Sequence, residues 1–250
     1  MSTDPLLIHA ANPSPLTGRG NNTWLIDGEV PALIDAGIGA SDHIDALAGA
    51  LGDRPLQLVL VTHGHADHAS GVPALRARWP QLEACKWLSA GESGWTPLTD
   101  GQTLRAGSIE LRVVHTPGHA VDHVCFWNAA DRHLYSGDMV VAGTTVMIPA
   151  GRGGNLRQYL SSLERMARLA PARIYPGHGP IIDRPADIIE EYLTHRQLRE
   201  RQVLACLNEG TVDVEAIVRR IYPALPDSLR PAARLTIEAH LEKLREEGRA

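Results

Sequence analysis

The stretch VTHGHADHAS, Val61 to Ser70, places His63, His65, Asp67 and His68 within six consecutive positions. Imidazole and carboxylate groups are costly to bury and fill a core poorly, so such a cluster needs a chemical reason. The run leading into it, LQLVLVT (56–62), reads as a buried strand. Residues two apart beyond a strand end can face the same way, which suits His63 and His65 to one cation. Imidazole nitrogens favour zinc. Asp67 and His68 open a helical pattern over 67–79 (DHASGVPALRARW), with Gly71 and Pro73 disturbing its first turn, and they can serve a second ion.

Working outward, NTWLID (22–27) and PALIDAG (31–37) read as a hairpin. DHIDALAGAL (42–51) carries a helical spacing with Ser41 as candidate N-cap. Further strands are expected at 82–88, 109–115, 121–127 and 133–136, an amphipathic helix at 156–169, and a strand opening RIYPGHGP (173–180). Three of these strands run into turns that carry metal-type side chains: His119 in TPGHAVDH, Asp138 in LYSGDMV and His178 in YPGHGP. Strand-end turns are where layered α/β folds gather functional groups. From about residue 187 the strand signals cease, and helices are expected over 185–207, 212–222 and 231–248. The division is a catalytic domain over 1–187 and a helical domain over 188–250.

The bulk numbers fit this picture. The 250 residues carry 24 basic and 29 acidic side chains, a net charge of −5, so no broad basic surface is expected. Cys85, Cys125 and Cys206 are too few and too scattered for a disulfide framework and read as free thiols in a reducing compartment. The opening MSTDPLLIHAANPSP lacks a basic stretch before an apolar run, and no span long enough to cross a membrane is visible, so a cytoplasmic protein is expected.

With these motifs in order, the chain resembles the metallo-β-lactamase superfamily over residues 20–185. That resemblance implies a four-layer αββα sandwich with two metals at one edge. It implies that His63, His65 and His119 hold one ion, that Asp67, His68 and His178 hold the other, and that Asp138 bridges both. Asp35 would orient the histidine loop from behind, as carboxylates commonly do for metal-bound imidazoles. True β-lactamases of this superfamily lack the bridging Asp, and the di-iron oxygen-reducing branch has Glu at the His65 position. The expectation is therefore two zinc ions, with iron or manganese also compatible with the donors. Such a pair lowers the pKa of a shared water towards about 7 and supplies a hydroxide for hydrolysis. Asp67 and Asp138 join that chemistry, and His123 is a candidate hydrogen-bond donor to substrate or to the bridging carboxylate.

NPSPLTGRGNNTWLID (12–27), YLTHRQLRER (192–201) and the run from Glu209 to Ala250 are similar to the lactamase-β-2-like branch, which carries a small C-terminal winged-helix domain. The chain ends at Ala250, where the wing of such a domain is expected to follow. The branch implies two substrate classes: single-stranded RNA, cleaved by an endoribonuclease, and acyl thioesters of carrier proteins, coenzyme A or glutathione. Arg152, His195, Arg196 and Arg199 are the candidate phosphate contacts. Against RNA, residues 198–250 hold nine basic and nine acidic side chains, and aromatics are 4% of the chain. For a thioester, the apolar run MVVAGTTVMIP (139–149) is a candidate channel wall. The C-terminal domain can equally wall the site or form a homodimer. A metal-stabilised binding module without catalysis is the remaining class. His9, His43, His115, His133 and His240 have no motif context and read as surface or core residues.

Overall fold

The computed structural model describes residues 4–10, 12–13 and 18–250; residues 14–17 of the NPSPLTGRG opening lie outside them. Two sheets face each other. The first has the order β1 (Leu6–Ala10), β2 (Asn21–Ile26), β3 (Ala32–Ile34), β4 (Leu58–Leu60), β5 (Glu83–Lys86) and β6 (Thr96–Pro97). The second runs β11 (Arg173–Pro176), β10 (His133–Gly137), β9 (Val124–Asn128), β8 (Ile109–His115) and β7 (Thr103–Ala106). Period-two alternation sends each strand's side chains to two different cores. Trp24, Ile26, Ile34 and Leu60 meet Leu111, Val113, Phe126 and Tyr135 between the sheets. Their neighbours Leu25, Leu33 and Val59 point the other way, beneath α1 (Ser41–Leu51) and α3 (Val72–Arg78). Val114, Cys125 and Leu134 pack outward against α4 (Leu156–Leu169) and the first half of α5 (Pro185–Asn208). The αββα sandwich expected from the sequence is therefore the fold.

α5 is one unbroken helix. Its Ile189 and Tyr192 belong to the core of the sandwich, whereas Val203 and Cys206 belong to a separate core with α6 (Val214–Ile221) and α7 (Arg230–Glu246). The division at 187/188 falls near the start of this helix, which runs from the sandwich into the second core. One local expectation needs correction: Ser41 is the first residue of α1, and the N-cap is Ala40, which offers no side-chain cap. The helix over 67–79 is interrupted at the disturbance expected from Gly71 and Pro73, giving α2 (Ala66–Ala69) and α3; Gly71 lies against the backbone of Ala36, where a Cβ would meet a carbonyl at 2.1 Å. All three cysteines are buried, and burial raises the Cys85 and Cys125 thiols to about 12, which leaves both unreactive. Among the described residues no helix is long and apolar enough to cross a membrane.

Candidate metal centre

β3 and β4 are parallel, as are β10 and β11, so these pairs deliver their carboxyl ends to one edge of the sandwich. Asp35 follows β3, His63 and His65 follow β4, Asp138 follows β10 and His178 follows β11. His119 comes from the turn between β8 and β9. The sheets are tied at this edge by the Asn22 N–H, which donates to the Gly177 carbonyl at 2.8 Å. The structure brings all seven residues of the expected cluster together. Their donor atoms form three overlapping groups, His63/His65/His119, His63/His68/Asp138 and Asp67/His68/His178, each within 4.8 Å.

Behind the cluster, four of the five histidines give an outer ring nitrogen a fixed partner, and this decides which nitrogen faces inward. Thr62 Oγ1 donates to the Asp35 carboxylate at 3.0 Å, so it accepts from His63 Nδ1 at 3.0 Å. His68 Nδ1 donates to Asp35 Oδ2 at 2.8 Å, and His119 Nδ1 donates to the Met147 carbonyl at 3.0 Å. His178 Nδ1 donates to the Gly20 carbonyl at 3.3 Å. Four Nε2 atoms are thereby turned inward. This is the outer-partner arrangement that orients metal-bound histidines.

The donor set fits a pair of cations on geometric grounds. His65 Nδ1 lies 2.9 Å from His63 Nε2 and 3.0 Å from His119 Nε2. Both of those nitrogens have given their proton outward, so His65 can satisfy one of them at most. A cation satisfies all three. Asp138 turns Oδ2 toward His119 Nε2 at 3.7 Å and Oδ1 toward His68 and His178 Nε2, each at 3.4 Å. Its Oδ1 is buried without a hydrogen-bond partner among the described residues. A Cβ at Gly177 would lie 2.7 Å from that oxygen, so only glycine leaves the space beside it.

The protein's own electrostatics divide the cluster. Burial pushes the His63, His65 and His119 imidazoles below the usual histidine range, which keeps them neutral and able to ligate. On the other side burial also opposes charge, but carboxylates outweigh it. Asp138 and Asp35 hold His68 well above its ordinary value, and Asp138 and Asp67 raise His178 to about 9. Asp67 and Asp138 are held below the usual carboxylate range, against burial, chiefly by His178 and His68.

His123 lies elsewhere than expected. It is fully buried; its Nε2 accepts the backbone N–H of Asp138 at 3.2 Å, and its Nδ1 donates to Thr116 Oγ1 at 2.9 Å. It supports the backbone of the bridging position and reaches neither a substrate nor the Asp138 carboxylate. Several partners escaped sequence reasoning. Asn21 Nδ2 donates to Asp67 Oδ2 at 3.1 Å, and Lys86 Nζ lies 2.7 Å from Asp122 Oδ2 behind Gly64. The NN pair at 21–22 was the available signal for Asn21; a lysine inside a strand gave none for Lys86.

Above the cluster opens a cavity of about 1280 Å³ with His65, Asp67, His119, Asp138 and His178 on its floor. One wall is the segment Val141–Met147, part of the expected channel run. The facing wall comes from the C-terminal domain, through Tyr222, Leu225, Leu229, Ala232, Ala233 and Thr236. Arg19, exposed, is the one arginine or lysine among the described lining residues. None of the four expected phosphate contacts lines it. Arg152 is exposed on a neighbouring loop, and His195 is half-buried. Arg196 is only 2% exposed and donates to the Val146 carbonyl behind the wall, and Arg199 stacks on the Tyr222 ring at 4.1 Å. Charge is visible in a sequence and burial is not, which is why Arg196 could not be placed behind the wall from its charge alone.

Comparison with known proteins agrees with this architecture. A family model described as the metallo-β-lactamase superfamily matches residues 16–178, and one described as the β-lactamase-associated winged helix domain matches residues 214–250. A β-lactamase-like protein 2 homologue of Caenorhabditis elegans is 30% identical over 95% of this chain and 82% of its own length. An atrochrysone carboxyl ACP thioesterase of Aspergillus chevalieri is 34% identical over 90% of this chain and 75% of its own. The crystal structure of a β-lactamase domain protein from Burkholderia ambifaria superposes with a TM-score of 0.87 at 23% identity, covering 99% of this chain and 87% of that one, a likeness of fold. The chain belongs to the metallo-β-lactamase superfamily of hydrolases, carries a β-lactamase-associated winged helix domain at its C-terminal end, and is similar to proteins named β-lactamase-like protein 2.

Proposed function

We propose that this protein hydrolyses carboxylic thioesters with the help of two divalent cations, zinc by the preference of its imidazole and carboxylate donors. The observation that carries the choice of substrate is the cavity, whose walls are apolar and whose lining holds one arginine and no lysine among the described residues. A thioester is uncharged at its reacting carbon and brings an acyl group that such walls favour. An RNA strand brings a phosphate at every step and requires a track of cations, which this lining does not provide. The thioesterase among the relatives supports the same reading.

In this proposal His63, His65 and His119 hold one ion, Asp67, His68 and His178 hold the other, and Asp138 faces both. When bound, the cations supply an acidified water and an electrophile for the carbonyl oxygen. The chain's own residues do the remaining work. Asp35 and Thr62 keep the histidine lone pairs aimed inward. Asp67, kept ionised by His178, His68 and Asn21, faces the cavity, takes up the proton released as water adds to the carbonyl carbon and passes it on to the sulfur. The carbon–sulfur bond breaks as the sulfur gains that proton, the thiol leaves through the cavity mouth, and the acid remains to be released.

The test is a parallel assay of metal-loaded wild type and Asp138→Ala on acyl thioesters and on a single-stranded RNA oligonucleotide at low salt. Thioester hydrolysis should fall by about a thousandfold or more in the variant, while circular dichroism stays native. RNA cleavage without thioester hydrolysis would overturn the substrate class. Near-normal turnover by a metal-replete variant would overturn the mechanism.

A further inference from the structure

We propose that the C-terminal domain forms the binding site for the acyl group, making this an enzyme for extended, uncharged acyl thioesters. The inference rests on the thioesterase reading and adds where, and by which residues, the acyl group is held. Leu229, Ala232, Ala233 and Thr236 line the cavity at positions i, i+3, i+4 and i+7, so one face of α7 and the turn leading into it closes over the metal centre. The adjoining face, through Ile237, Leu241 and Leu244 and reaching Ala233 at its border, is sealed in the domain's own core. Alanines at 232 and 233 leave the room that a larger residue would fill, and Tyr222 and Leu225 complete the wall.

Of the hydroxyls on these walls, Thr236 Oγ1 is turned back on its own helix, donating to the Ala232 carbonyl at 3.1 Å. Leu225, Leu229, Ala232, Ala233, Val141, Ala142 and Val146 outnumber the hydroxyls of Thr144, Thr145 and Tyr222, and no charged side chain stands among them. The side of the cavity away from the floor therefore offers mainly apolar contact area. That environment discriminates by length and shape and rejects charge. The occupant is fixed by continuity: this wall shares one cavity with the residues that face the scissile carbonyl, and Arg19 lies toward the exposed side, where the polar thiol part would remain.

The experiment measures kcat/KM of the zinc-loaded full chain on N-acetylcysteamine thioesters from butanoyl to dodecanoyl. Binding of the matching S-alkyl thioethers, which cannot be hydrolysed, is followed by calorimetry. Each added methylene should raise kcat/KM and thioether affinity about fourfold until the site is full. In Ala232→Phe, and separately in Thr236→Leu, the gain should stop at a shorter chain. The readout is the slope, with metal content and circular dichroism confirming that the variants fold. A flat slope in the wild type, with short thioesters hydrolysed, would overturn this inference and leave the thioesterase reading intact. Wild-type slopes in both variants would place the acyl group elsewhere and overturn it too. Thioether affinity that climbs with length, without hydrolysis of any thioester, would support the apolar site and overturn the proposed reaction.

Discussion

At the sheet edge, His63, His68, His119 and His178 each use one ring nitrogen on a hydroxyl, carboxylate or carbonyl and turn the other inward. Between α5 and α7, His240 is equally buried, yet neither of its nitrogens has a partner among the described residues. The charges differ as sharply. Asp35, Asp67 and Asp138 face the first set, whereas Arg196, Arg199, Lys243 and His195 surround His240. Glu200, the nearby acid, is bonded to Lys243 at 2.6 Å and to Arg249 at 2.7 Å. A cation is attracted to the first site and repelled by the second. The number of histidines does not make a metal centre; what holds their outer nitrogens, and which sign of charge stands behind them, does.

The sharpest way to break the contrast is to remove an outer partner. Asp35 has φ of 62°, a conformation that asparagine tolerates better than most residues, so Asp35→Asn keeps the backbone while removing the negative charge. It weakens the acceptor for the Thr62 N–H, now at 2.8 Å, and for His68 Nδ1. Zinc affinity should fall about 10- to 100-fold, read by competition with a chelator. Unchanged affinity in a folded variant would mean that the inward lone pairs need no support from behind.

Much of this contrast was within reach of the sequence, and part of it was not. His63, His65, Asp67 and His68 stand out because they share one loop, and Asp138 and His178 because each ends a strand in a glycine-rich turn. α4 begins and ends where its periodicity does, with Asn155 capping it through the Gln158 N–H at 2.9 Å. What stayed hidden depends on tertiary partners. Asn21 meets Asp67 across 46 positions, and although the paired asparagines at 21–22 stand out, nothing local names Asp67 as the partner. The break at Gly71 was legible, but the Ala36 carbonyl that leaves no room there for a Cβ comes from another strand's end. Arg196 and Arg199 looked like phosphate contacts because a formal charge says nothing of whether its side chain lies under a wall.

The second cluster is sharpened by acid. Burial, with Arg196, Arg199 and Lys243 adding to it, holds His240 at about 3, whereas the unfolded chain binds that proton near pH 6.5. Between those values the unfolded state carries the extra proton, so stability from this residue is complete above about pH 6.5 and is lost as pH falls. At pH 5 the loss is about 2 kcal/mol. His240→Leu should remove that increment and, by eliminating two unpaired buried nitrogens, stabilise the protein at pH 7 by about 1 kcal/mol. Urea unfolding followed by tryptophan fluorescence at both pH values measures it. The difference between wild type and variant isolates His240 from the other groups that titrate. Equal acid sensitivity in both would show that His240 finds a partner.

The smallest expected effect joins the two clusters. Tyr192 and Arg196, both on α5, pin the Val141–Met147 wall: the tyrosine hydroxyl bonds Val141 and Thr144, and the guanidinium bonds the Val146 carbonyl. One residue further on, the Met147 carbonyl receives His119 Nδ1 at 3.0 Å. This geometry predicts that Arg196 positions His119 through two consecutive carbonyls. Arg196→Met should weaken one of the two zinc affinities about tenfold, that of the pocket containing His119, and leave the other unchanged. Arg196→Lys should restore part of the loss. A purely structural arginine would instead lower the melting temperature with both affinities intact, and that result would uncouple the α5 cluster from the chemistry at the sheet edge.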